Sequence, residues 1–90
     1  MGEKPFPMGR VVITANALER LNPEDVLRSL CRHAAGDWGD CCTQDWQDND
    51  EALQSGWRLF SVYRDANTVK FWVITEADRS VTTVLLPEDY

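Results

Sequence analysis

Ninety residues with four Trp, three Phe and two Tyr in a 43% apolar chain suffice for one small domain, and a disordered tail would be poorer in aromatics. A chain this short hides only roughly 60–65% of the surface its unfolded form exposes, so each large side chain in the core counts. The net charge of −6 argues against a broad basic footprint for nucleic acid, and apolar runs no longer than Phe71 to Ile74 exclude a membrane-spanning helix.

Met1 to Pro7 holds two prolines and no apolar core of a signal peptide. Residues 1–9 are therefore expected to be a flexible arm, and 10–90 a single domain. Arg10 to Thr14 is β-branched and reads as a short strand, with Thr14 placed to cap one or two helical turns through Leu21. Asn22-Pro23-Glu24-Asp25 is a strong helix start: a side-chain cap, a proline at the first helical position, and two acids at the positive end of the dipole. Val26, Leu27, Leu30, Cys31 and Ala34 follow as one apolar stripe, and Gly36 is a natural stop. Asp37 to Asp40 reads as a turn. Thr43 offers a second cap for a helix over 44–55 whose apolar face is thin.

After Gly56 the period changes from helical to two. Trp57, Leu59, Ser61 and Tyr63 alternate with Arg58, Phe60, Val62 and Arg64, then Asp65-Ala66-Asn67 turns the chain. Strands over Val69–Thr75 and Val81–Leu86 follow, separated by the polar turn Glu76–Ser80. The expected fold class is α+β, with two main helices packed on one face of a three- or four-stranded antiparallel sheet.

Four features bear on chemistry. Between Arg32 and Arg58 there is no Lys or Arg, while Asp37, Asp40, Asp45, Asp48, Asp50 and Glu51 all fall inside. Asp45, Asp48 and Glu51 recur every third residue, a slowly drifting stripe on a helix, and a field of one sign attracts a basic partner surface. A solvated helix face is the plain alternative. Cys31, Cys41 and Cys42 form neither a disulfide framework nor a Cys-x-x-Cys pair, and one His is present. Reduced thiols of a cytoplasmic protein, with no metal and no cofactor, are expected. His33 has the chemistry of a general acid or base, or equally that of a cation complementing a helix C-terminus. The aromatics Trp57, Tyr63, Phe71 and Trp72 are expected mainly in the core.

His33-Ala34-Ala35-Gly36-Asp37-Trp38-Gly39-Asp40 and the C-terminal run Trp72-Val73-Ile74-Thr75-Glu76-Ala77-Asp78-Arg79-Ser80 through Leu86-Pro87-Glu88-Asp89-Tyr90 resemble a family of small proteins encoded on plasmids and integrative elements. Members are labelled plasmid-related or restriction-subunit-like. The resemblance implies a mobile-element setting; the chain has no methyltransferase motif to match the restriction label. A more distant similarity is to the barnase/RelE-like ribonucleases, in which helices precede a small sheet and a His works with strand residues. It would assign catalytic roles to His33, Arg58, Tyr63, Arg79 and Thr82. The favoured expectation is a non-enzymatic anti-defence protein of the anti-CRISPR type. It would bind a host nuclease complex through Asp37, Asp40, Asp45, Asp48, Asp50 and Glu51, with no membrane and no direct nucleic acid as partner. The alternative is a ribonuclease-like domain, active or decayed.

Overall fold

The computed structural model describes residues 6–90. Strand β1 (Arg10–Ile13) leads into helix α1 (Ala15–Arg20), α2 (Pro23–Ala34) and α3 (Thr43–Ser55). The meander β2 (Leu59–Arg64), β3 (Lys70–Thr75), β4 (Val81–Leu85) and a 3₁₀ turn over Pro87–Asp89 complete the chain. The α+β class holds, but the sheet is mixed. Its order is β1-β4-β3-β2, and β1 runs parallel to β4 while the other two pairings are antiparallel. A fully antiparallel sheet was expected because three strands form a meander. β1 departs from that pattern since three helices carry the chain across one face to β2 at the far edge, and the meander then brings β4 back beside β1 in the same direction.

Local signals act where the residue types place them. The Thr14 side chain accepts from the Ala17 N–H, and Asn22 accepts from the N–H groups of Glu24 and Asp25. For α3 the cap is Cys42 instead of Thr43, and it makes no side-chain bond. Gly56 ends α3 with φ 77°, and the Trp57 N–H then turns back to the Ala52 carbonyl. That closing bond belongs to the helix, so β2 starts at Leu59 instead of Trp57.

Alternation along the strands sends Leu59, Ser61, Tyr63, Phe71, Val73, Thr75, Thr82 and Val84 to the helical face, where all are buried. Ala17, Leu21 and Val26 from the helices, with Leu86, close over Tyr63, Phe71, Val73 and Val84 as the main core. Trp38, Ala52 and Leu59 form a second cluster under α3. Burying side chains of this size contributes roughly 1.5–3 kcal/mol each. The stripe expected on α2 is only partly the buried one. Val26, Ser29, His33 and Ala34 face inward, while Leu27 is 65% exposed and Cys31 is exposed. The helix is rotated because the sheet beneath it offers hydroxyls to His33.

Of the arm expected over residues 1–9, residues 1–5 lie outside the described residues. The remainder is tied down: the Phe6 N–H donates to the Ala34 carbonyl, and the Met8 carbonyl accepts from Thr82.

Candidate functional site

The six acidic residues singled out in the sequence do not form one uniform patch. Arg32 holds Asp37 through two hydrogen bonds of 2.8 and 3.2 Å, and this lowers the Asp37 pKa. Asp40 lies 3.6 Å from Arg64, and Asp50 accepts from the Trp38 indole N–H at 2.9 Å. Asp45, Asp48 and Glu51 are exposed on α3 with no ion pair among the described residues, and only Asp48 has a side-chain partner, Gln44.

One side of this stripe borders an open depression of about 310 Å³ between α3 and the chain entering β2, lined by Asp45, Asp48, Asn49, Ala52, Trp57, Arg58 and Phe60. Trp57, 55% exposed, forms part of its wall. From Phe60 an aromatic row continues over the sheet face that no helix covers. The Phe60 and Trp72 rings are 4.9 Å apart, Trp72 and Tyr90 5.7 Å. The Arg58 guanidinium lies 5.4 Å from the Tyr90 ring centroid and donates to its hydroxyl. Of the aromatics expected in the core, Tyr63 and Phe71 are there. Trp57 is exposed and Trp72 half-buried on the opposite face, because the period-two pattern puts Trp72 out of step with Phe71.

The second cluster is enclosed. His33 is 0% exposed, with Nδ1 2.6 Å from the Ser61 hydroxyl and Nε2 2.8 Å from that of Thr75. Thr75 meets Thr82 at 2.7 Å, and the Thr82 hydroxyl donates to the Met8 carbonyl at 2.7 Å. A carbonyl can only accept, and this fixes the protons from Met8 back to Nε2. Thr82 gives its proton to Met8 and accepts from Thr75, and Thr75 accepts from Nε2–H. In the neutral ring Nδ1 accepts from Ser61, and protonating Nδ1 would force that bond to reverse. Burial and the nearby Arg79 charge lower the His33 pKa to about 4. Phe6 and Trp38 stand edge-on to the ring at 5.3 and 5.5 Å.

Of the residues assigned by the ribonuclease similarity, the structure brings His33 and Thr82 into this one network. Tyr63 is nearby on β2, but its phenol donates to the Asp37 carbonyl. Arg79 spends its guanidinium on the carbonyls of Trp57, Glu76, Ala77 and Ala52, tying the β3–β4 turn to the end of α3. Arg58 lies on the opposite face of the sheet beside Tyr90. A phosphate would meet neither a free arginine fork next to His33 nor an exposed imidazole. Sequence reasoning missed Ser61, Thr75 and Asn49. Ser and Thr at inward strand positions opposite a helix His were the available signal for the first two.

The thiols form no built site either. Burial raises the Cys41 pKa, and among the described residues no three His, Cys, Asp or Glu side chains gather closely enough to hold a metal ion. Among the described residues, too, no helix is long and apolar enough to cross a membrane. Compared with family models, with curated proteins and with solved structures, the chain finds no match in any of the three.

Proposed function

We propose that this chain is a binding protein that occupies the basic, phosphate-recognising surface of a host nuclease complex, an anti-defence inhibitor of the anti-CRISPR type acting in the cytoplasm. The observation that carries the reading is the pairing of free carboxylates with an exposed anchor. Asp45, Asp48 and Glu51 make no ion pair among the described residues, and Trp57 and Arg58 line the depression beside them. Carboxylates at an exposed rim speed and select the encounter, within a Debye length of about 8 Å at physiological salt. Trp and Arg are the side chains most often responsible for holding a complex once formed. Asp37 and Asp50 serve the fold in this reading, since their oxygens are taken by Arg32 and Trp38.

Protection of a plasmid or phage in strains with defined immune systems is the direct test, using the native chain and the triple variant Asp45→Asn, Asp48→Asn, Glu51→Gln. The native chain is expected to protect against one system and to bind its nuclease complex with marked salt dependence. The triple variant should fold normally, associate more slowly and lose most of that salt dependence. A native chain that protects against none, or a neutralised chain that inhibits equally at every salt concentration, would defeat the proposal. Cleavage of total RNA by the pure protein, lost in His33→Ala, would instead favour the ribonuclease reading.

A further inference from the structure

The two edges of the sheet are treated differently. On β2, the Asn49 side chain donates to the Phe60 carbonyl at 2.7 Å and accepts its N–H at 2.9 Å. Val62 is engaged by the backbone of Trp38 and Asp40. On β1, the ladder to β4 uses Arg10, Val12 and Thr14, as the bonds from the Arg10 N–H to Ser80 and the Thr14 N–H to Val84 show. Val11 and Ile13 therefore turn their N–H and C=O groups outward, and among the described residues nothing accepts or donates to them. Beside this edge an apolar groove of about 330 Å³ opens between β1, α1 and α2. It is lined by Val11, Leu18 and Leu27, which are 44, 63 and 65% exposed, together with Ile13, Leu21 and Leu30.

We infer that a second copy of this chain covers the groove, β1 pairing antiparallel with β1 of its partner about a two-fold axis beside Val12. Outward groups at two positions two residues apart are self-complementary under such an axis. The N–H and C=O of Val11 bond the partner's Ile13, and the reverse, joining two four-stranded sheets into one of eight. The axis brings the exposed leucines of α1 and α2 against their own copies, so the apolar rims close on each other. Charge permits the approach. Residues 10–30 hold Arg10, Arg20 and Arg28 against Glu19, Glu24 and Asp25, a net of zero, while the excess acid lies on α3 at the opposite edge. A strand edge and eleven lining residues are about half the 20–30 residues per side of a standard interface. The dimer is therefore reversible, with a dissociation constant of micromolar order.

Sedimentation equilibrium of the full chain from about 1 μM to 1 mM tests this at the expected micromolar strength. The expected result is a monomer–dimer equilibrium, with filtered nuclear Overhauser contacts between labelled and unlabelled copies at β1. Leu27→Glu, at a solvent-facing position, should raise the dissociation constant at least tenfold without altering the melting curve of the dilute monomer, and Leu18→Glu should do the same. A chain monomeric throughout, including one that takes up a foreign extended peptide at β1, would overturn the inference. So would a dimer equally strong in both variants.

Discussion

The β2 edge and the β1 edge pose the same chemical problem, a row of unpaired backbone groups, and the molecule answers it on one side only. At β2 the chain has recruited a helix side chain and a glycine-bearing loop as substitute strand partners. At β1 the backbone groups of Val11 and Ile13 lie open beside exposed aliphatic side chains. Natural sheets commonly blunt edges with charge, proline, a bulge or a covering segment, and β1 carries one Arg and none of the rest. An edge left unguarded next to an apolar groove is the signature of pairing, whereas a guarded one is part of the fold. Perturbations at β2 should therefore cost stability, and perturbations at β1 should cost association alone.

The severest way to break the sealed edge is at Gly39. Its φ is 75°, and a Cβ there would come 2.0 Å from the Val62 carbonyl oxygen, which is backbone and cannot swing aside. Gly39→Ala should cost about 3–4 kcal/mol in urea unfolding, combining left-handed strain with loss of the bridge. An unchanged midpoint would mean that the loop does not hold the edge.

Acidification tests the strands between the two edges. His33 titrates near 4 when folded and near 6.5 when unfolded. Between those values the unfolded chain binds more protons, so stability falls as pH falls. The loss from pH 7 to pH 4 should be on the order of 3 kcal/mol. His33→Gln should flatten that slope across the window. If it leaves the slope unchanged, the acid sensitivity lies elsewhere.

Asn49→Ala strips both partners from the Phe60 backbone. A loss of about 2 kcal/mol is expected, accompanied by concentration-dependent aggregation as the second edge opens. Light scattering during the melt would detect it; a clean, reversible melt at full stability would erase the contrast between the edges. The smallest effect belongs to the groove beside β1: Leu27→Glu on α2 should change the unfolding free energy of the monomer by no more than about 0.5 kcal/mol.

Much of the architecture was legible in the residues. Thr14, Asn22-Pro23 and Gly56 act through groups within a few positions of themselves, so helix starts and stops follow from local chemistry. The period-two run from Leu59 to Arg64 separates inside from outside because alternation is built into an extended backbone. The run of six acids from Asp37 to Glu51 was equally visible, but not which of them are free. Arg32 reaches Asp37 across the end of α2, and Trp38 reaches Asp50 across a loop.

By itself, the sequence determined where chain segments are helical or extended, since capping, propensity and periodicity act over a few residues. Tertiary structure decided what only distant pairs can decide. β1 lies beside β4 and runs parallel to it because three helices carry the chain to the far edge before the meander returns. The apolar stripe of α2 is partly turned to solvent because Ser61 and Thr75 draw His33 inward from strands 28 and 42 residues away. One edge is closed and the other open because Asn49 and Gly39 fold back on β2, and nothing among the described residues folds back on β1. Hydrogen bonds saturate only in three dimensions, so the groups left over, where function is sought, emerge only with the fold.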